Sequence, residues 1–176
     1  MIFFELLFDA KNFIDKPSID KNWYKDIRVI DFGSRWMFDR LTEISPNEVR
    51  YYNESINFLA YGIFKYAFSI FITTLSSYII LQVDWRFFPL FIFIFYFIEV
   101  HFLFLFPILF DNIRRPIFTS MKCTYKLGLI TAISNVIPIG IFMLCGLMNF
   151  KNPLRNWLVG CIAILIWYRD EIRDRI

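Results

Sequence analysis

Long apolar runs separated by short polar segments make up most of the chain after residue 55. Apolar stretches of about 20 residues are typical of transmembrane helices, and the pattern predicts spans at residues 56–81, 87–110 and 127–150. A fourth apolar stretch, residues 154–168, is short for a span, so it either thins the bilayer, lies inside a bundle or is re-entrant. The sequence therefore predicts an all-α, polytopic membrane helical bundle with about four transmembrane helices.

The first 44 residues have an amphipathic pattern instead of continuous apolar runs. In residues 1–14, acidic and amide side chains recur at helical spacing, which predicts a short helix that lies in the membrane interface, on partner subunits or in a cap. Two further short helices are expected, separated by a break at Gly33-Ser34. We therefore predict a small N-terminal cytoplasmic helical cap, residues 1–44, followed by a transmembrane helical domain, residues 45–176.

The segment SPNE at residues 45–48 has the pattern of a helix N-terminus. Ser45 and Glu48 have the spacing of a capping box, and the proline between them is favoured at the first helical position. No strong stop follows before Val83. One helix is therefore predicted from Ser45 to that point, and it is longer than a hydrocarbon core of about 30 Å, so its first turns should project from the membrane.

Composition and charge support a membrane environment and predict an orientation. Hydrophobic residues make up 57% of the 176 residues and aromatic residues 21%, more than a soluble domain of this size normally buries. Most Lys and Arg residues lie before the first span, between the second and third spans, or after the last one. Because positively charged segments stay on the cytoplasmic side, we predict a multi-pass protein with both termini inside.

Glu99 and the only histidine of the chain, His101, interrupt the second span. A carboxylate near the bilayer centre costs roughly 3 kcal/mol on insertion scales, so Glu99 should be protonated, paired or exposed to water. Lys65 lies at a similar depth on the first span and is the candidate partner. Two residues along a helix correspond to a rotation of about 200°, so Glu99 and His101 should point in nearly opposite directions. One of them should face a neighbouring span, and the other should face a second subunit or a lumen.

These polar groups leave three interpretations open. The first is a structural contact of Glu99, either with Lys65 or with the backbone. The second is a lumen or ion path, and the third is proton-coupled transport, since ionisable groups inside a membrane often serve a function.

The third span combines polar residues, a proline and a strip of small residues. Asn135 lies shortly before Pro138, which frees a backbone carbonyl one turn earlier, so the helix should kink or unwind locally. The freed carbonyl can then bind water, an ion or a neighbouring helix. Gly128, Ala132 and Val136 recur at every fourth position, which favours close helix packing as the alternative.

A basic loop lies between the second and third spans and contains Arg114, Arg115, Lys122 and Lys126. Positive-inside bias explains these charges without any ligand. Anionic lipid headgroups or a nucleic acid are the alternatives. No aromatic stacking platform is interleaved with the basic residues, so we expect no direct contact with nucleic acid.

The sequence contains no recognisable catalytic or cofactor-binding motif. A single histidine cannot form a histidine-rich metal site, and the glycine-rich phosphate loops and the G-x-S-x-G nucleophile motif are absent from the chain. Cys123, Cys145 and Cys161 are widely spaced and are interpreted as small apolar residues. We predict a protein that is not an enzyme and needs no metal or cofactor.

The layout of the chain resembles that of a known group of proteins. A capped helix from Ser45 leads into Phe- and Ile-rich spans, and the chain ends in the charged tail YRDEIRDRI. This arrangement resembles the small membrane accessory proteins encoded beside the RNA-guided effector nuclease in type VI-B CRISPR loci. The resemblance implies a protein of the bacterial inner membrane that modulates antiviral defence through an oligomeric pore or through contact with the effector.

We therefore predict a non-enzymatic membrane protein that contacts lipids, forms homo-oligomers and acts as a pore, a channel-like effector or an accessory protein. Lys65, Glu99, His101 and Asn135 are its candidate pore or interface residues. One alternative is a membrane-anchored scaffold or immunity protein that binds a cytoplasmic partner through residues 1–44. Another is a small proton-coupled transporter.

Overall fold

A computed structural model of the chain describes residues 2–14, 29–46, 51–148 and 154–175. All regular secondary structure in these ranges is helical, which confirms the all-α prediction. The α-helices are α1 (Phe3–Ile14), α2 (Val29–Ile44), α3 (Phe58–Val83), α4 (Phe91–Glu99), α5 (Leu105–Phe110), α6 (Pro116–Leu127), α7 (Leu129–Leu147) and α8 (Arg155–Trp167). 3-10 turns occupy Trp85–Leu90, Val100–Phe102 and Arg173–Arg175, and a π-helical turn occupies Tyr168–Ile172.

Three helical segments are long and apolar enough to cross a membrane, namely Phe58–Val83, Trp85–Phe110 and Leu129–Gly146. They correspond to the first three predicted spans. The fourth predicted span contains α8, which has only 13 α-helical residues and packs against α1, α2 and α7. Because protein covers most of its apolar side chains, α8 is a core helix of the bundle, and four transmembrane helices are not confirmed.

Helices α1 and α2 share one hydrophobic core with the helices that follow them. Leu6 and Ala10 of α1 are fully buried, and Trp36 and Leu41 of α2 belong to the same cluster. The amphipathic helix expected in residues 1–14 is confirmed as α1. Whether these helices serve as a cytoplasmic cap stays a prediction.

Helix α2 runs without interruption through Gly33 and Ser34, so the break predicted there is wrong. A glycine inside a helix costs about 1 kcal/mol relative to alanine. The contacts of α2 with α3, α5 and α8 outweigh that penalty. Most of the short helix predicted before this point lies outside the described residues.

The helix predicted to start at Ser45 starts instead at Phe58. The amide of Ser45 donates to the carbonyls of Leu41 and Thr42, so this residue ends α2 rather than starting α3. Glu48, the other half of the predicted capping box, lies outside the described residues. The single long helix is therefore wrong.

Two asparagines explain where α3 begins. Residues 51–57 are not helical, because the Asn53 side chain accepts hydrogen bonds from the amide and the hydroxyl of Ser55 and so holds a tight turn. The Asn57 side chain then accepts from the amide of Ala60 and caps α3. An asparagine directly before an apolar run was the sequence signal for this start.

The second span is not one continuous α-helix. α4 gives way to the 3-10 turn Val100–Phe102, and the helix resumes at α5. Pro107 contributes to the interruption because it has no N–H for the carbonyl of Leu103. Glu99 and His101 therefore lie directly beside a break in the span.

The predicted basic loop is a helix for most of its length, since α6 contains Lys122 and Lys126. This helix packs against the break in the second span. The hydroxyl of Thr124 donates to the carbonyl of Val100, and the hydroxyl of Ser120 donates to the carbonyl of His101. Side chains of α6 thus satisfy backbone carbonyls of the break.

Asp111, Tyr168, Arg169 and Arg173 form a polar cluster at one end of the bundle, called here the polar end. Asp111, after α5, accepts hydrogen bonds from the Tyr168 hydroxyl at 2.7 Å and from Arg173 Nε at 3.0 Å. Arg169 donates to the carbonyl of Ile44 at the end of α2. The ends of α2 and α5 and the C-terminal tail therefore lie at the same end of the bundle.

Candidate functional site

A cavity of about 640 Å³ lies between α2, α3, α4, α5, α7 and α8. Ligand sites commonly have volumes of about 300–1,000 Å³ and mostly apolar walls. Aromatic and aliphatic side chains form most of this wall, including Trp36, Phe95, Tyr96, Ile139 and Leu158. The dimensions and the lining are those of a site for an apolar or amphiphilic molecule.

Lys65 and Glu99 are the charged residues in the described wall of this cavity. Lys65 Nζ lies 2.9 Å from Glu99 Oε2, which confirms the predicted pairing. Ser69 Oγ donates to Glu99 Oε1 at 2.9 Å. Lys65 and Ser69 are one helical turn apart and both are buried, so the polar face of α3 is turned inward and both carboxylate oxygens have a partner.

The Lys65 ammonium can donate more hydrogen bonds than Glu99 accepts. An ammonium has three N–H donors, and Glu99 accepts at 2.9 Å through one oxygen. The same cation lies 5.2 Å from the centre of the Tyr66 ring, a distance at which the ring also stabilises the charge. A molecule in the cavity that carries a hydrogen-bond acceptor therefore has a donor available.

Some of the residues that line the cavity also contribute to the surface of the protein. Phe91 and Leu144 line the cavity, and 36% and 44% of their respective surfaces are also exposed. Both side chains are apolar and belong to candidate spans. We infer that the mouth opens towards the hydrocarbon region of the bilayer.

His101 is separate from this cavity. Its Nδ1 lies 2.9 Å from the carbonyl of Phe97 and its Nε2 lies 3.1 Å from the Tyr125 hydroxyl. Because a carbonyl only accepts, Nδ1 donates in the neutral ring and Nε2 accepts from tyrosine. Glu99 faces a neighbouring span, as one of the predicted arrangements requires, whereas a second subunit or lumen beside His101 stays a prediction.

Asn135 is buried on α7, at 5% exposure, but it does not line the cavity. α7 stays helical through Pro138, so local unwinding, one of the two predicted alternatives, is wrong, and a kink at this proline stays a prediction. Its small-residue strip packs closely, since Ala132 is fully buried and Val136 is 6% exposed. The position of Asn135 in a pore or interface stays a prediction.

Gly140 is a packing residue that the sequence analysis missed. A Cβ atom at this position would overlap the Tyr96 ring of α4. The glycine therefore allows α4 and α7 to approach each other beside the cavity. The signal was present, because Gly140 continues the four-residue spacing of Gly128, Ala132 and Val136.

Among the described residues, no group of three or more His, Cys, Asp or Glu side chains is arranged to hold a metal ion. The four basic residues Arg114, Arg115, Lys122 and Lys126 are exposed beside or on α6 and do not line the cavity. Comparison with protein-family models, curated proteins and solved structures found no match to this chain. The cavity and its ion pair are therefore the features that indicate a function.

Proposed function

We propose that this chain is a non-enzymatic integral membrane protein that binds an amphiphile in its cavity. The observation that supports this function is an apolar cavity with one buried ion pair, Lys65–Glu99, in its wall. The ligand has an aliphatic or aromatic body and a polar group that accepts a hydrogen bond, such as a carbonyl, ether or hydroxyl oxygen. The body occupies the apolar wall and the acceptor meets the Lys65 ammonium.

Two features of the cavity support this ligand class. The mouth between Phe91 and Leu144 is apolar, so a membrane-dissolved molecule enters without crossing water. The Lys65 ammonium has three N–H donors and makes one contact of 2.9 Å with Glu99, so it can also donate to an oxygen atom of the ligand.

Gly33→Leu is expected to weaken ligand binding without weakening the fold. Gly33 lines the cavity, and a Cβ atom there meets nothing within 4 Å, so leucine fills space that the ligand needs. Binding of a dansyl-labelled long-chain methyl ester, measured by fluorescence in detergent micelles, should become at least about tenfold weaker, which corresponds to 1.4 kcal/mol.

Asp39→Leu is the matched control for this experiment. It adds the same side chain to the exposed face of the same helix and should leave probe binding unchanged. In native mass spectrometry, a co-purifying amphiphile should remain bound to Asp39→Leu and should be lost from Gly33→Leu. Equal binding by Gly33→Leu and the unchanged protein would rule out the cavity as the ligand site.

A second candidate function is a self-associating pore or membrane effector, the class that the layout resemblance implies. It is favoured by α3, because only 11% of its most apolar window is buried within the protomer, so most of that helix is available to a second copy. The mass of the protein in nanodiscs, corrected for lipid, should then correspond to several copies of the 21.3 kDa chain. A monomer or dimer would contradict a central pore, which needs more copies.

We further propose that the polar end faces the cytoplasm, with both termini inside, in a bacterial inner membrane. The positive-inside rule supports this orientation, since the sequence has its basic segments before the first span, between the second and third spans and after the last one. The contacts of Asp111 with Arg173 and of Arg169 with Ile44 support it as well. They keep the C-terminal tail at the end of the bundle where α2 ends.

A further inference from the structure

Helix α6 presents a basic and aromatic surface that the cavity does not use. This surface, called here the α6 surface, consists of the exposed residues Arg114, Arg115, Phe118, Lys122 and Lys126. Phe118 is 72% exposed, whereas the hydroxyl of Tyr125 is held against the second span by its hydrogen bond to His101. The opposite face of α6 is anchored on the break of the second span through Ser120 and Thr124, so the α6 surface points away from the bundle.

The segment that contains the α6 surface is basic and has no acidic residue of its own. The sequence has no acidic residue between Asn112 and Tyr168. Asp111, which precedes this segment, is engaged by Arg173. In the part of the chain that the structure describes, no carboxylate forms a salt bridge with Arg114, Arg115 or Lys122.

The chain connections keep α6 close to the membrane. The candidate span Trp85–Phe110 ends shortly before α6 begins at Pro116, and the next span begins at Leu129 directly after α6. The helix therefore cannot move away from the bilayer on a long linker. Its exposed Phe118 ring and its lysines, with long apolar stems, are the kinds of side chain that settle at a membrane–water interface.

We infer that the α6 surface binds the headgroups of anionic phospholipids. The lysine and arginine groups pair with the phosphate oxygens, and Phe118 inserts between the lipids at the level of the glycerol backbone. Basic residues next to a span attract anionic lipids through charge, and this attraction weakens as salt rises. This surface is distinct from the amphiphile cavity, so it does not depend on the function proposed for that site.

The test compares full-length protein in nanodiscs of phosphatidylcholine alone and of phosphatidylcholine with phosphatidylglycerol. For the unchanged protein, phosphatidylglycerol should raise the Tm, and several molecules of this lipid should remain bound in native mass spectrometry. Lys122→Gln combined with Lys126→Gln should lose most of the Tm gain and most of the retained lipid. The gain of the unchanged protein should shrink as salt is added.

Two variants control for folding and for net charge. Lys122→Arg with Lys126→Arg keeps both charges and should retain the lipid effect, which separates loss of charge from loss of structure. Lys11→Gln with Arg86→Gln removes two exposed charges elsewhere and should behave like the unchanged protein.

Three results would overturn the inference. The first is an equal Tm in both lipid mixtures. The second is an equal loss in the Lys11 and Arg86 control, which would reduce the effect to net charge. The third is an equal Tm gain from inorganic phosphate, which would make the site specific for a small anion rather than for a lipid.

Discussion

Replacing Glu99 with leucine is expected to lower the free energy of unfolding by about 3–5 kcal/mol, the cost typical of breaking a buried ion pair. The substitution leaves the Lys65 ammonium buried, at 11% side-chain exposure, without its carboxylate partner. It also removes the acceptor of the Ser69 hydroxyl. Lys65→Met should have a similar effect, because it leaves the Glu99 carboxylate without its cation.

The combined variant Lys65→Met/Glu99→Leu should recover most of this loss. Apolar side chains of similar volume often replace a buried ion pair without net destabilisation, so the two effects should be strongly non-additive. The measurement is chemical unfolding in detergent micelles, followed by tryptophan fluorescence and circular dichroism. The control Lys11→Met, at an exposed position of α1, should change stability by less than about 0.5 kcal/mol.

The same variants separate a structural role of the pair from a role in ligand binding. If Lys65 supplies the hydrogen-bond donor for the amphiphile, the combined variant should fold normally but bind the dansyl-labelled ester weakly. A combined variant that folds and also binds the ester normally would make the pair purely structural. Additive effects of the two single substitutions would contradict the ion pair itself.

Gly140→Ala is expected to destabilise the protein by about 1–3 kcal/mol, the usual cost of overpacking a filled core. The added methyl group would overlap the Tyr96 ring, so α4 and α7 must separate or the ring must move. The same substitution at Gly33, where a Cβ atom meets nothing within 4 Å, should stabilise α2 by up to about 1 kcal/mol. Replacing glycine with alanine is thus expected to lower the stability at position 140 and to raise it at position 33.

Tyr96→Leu provides the compensating variant. It removes the Cε1, Cζ and Oη atoms that the new methyl group would meet, so Gly140→Ala should cost less in this background. The measurement is the Tm of all four proteins in the same detergent. An equal Tm change for Gly140→Ala with and without the Tyr96 ring would contradict the contact between α4 and α7.

Several features of the fold could be predicted from local patterns. The first three spans follow from apolar length, because the thickness of the hydrocarbon core sets the length that a helix needs. The amphipathic spacing in residues 1–14 predicted α1 for a similar local reason. The pairing of Lys65 with Glu99 followed from energy, since two opposite charges at similar depth lower each other's cost of burial.

The failures have two causes, which are competition between neighbouring motifs and packing against distant helices. A capping box at Ser45 suggested a helix start, but Asn53 and Asn57 offered the backbone a tighter turn and a later cap. The glycine at position 33 suggested a break, yet packing on three helices keeps α2 continuous. In each case, a neighbouring or distant group offered a more favourable partner than the motif itself.

The sequence by itself determined which segments need an apolar environment and which charges need a partner, because both depend on the chemistry of each residue and the thickness of a bilayer. Only the tertiary structure decided that α8 is covered by protein, that α6 bridges a broken span and that Gly140 meets Tyr96. It also decided that six helices leave a cavity beside Lys65 and Glu99. These features depend on contacts between residues far apart in the chain, and no local pattern encodes the distance between two helices.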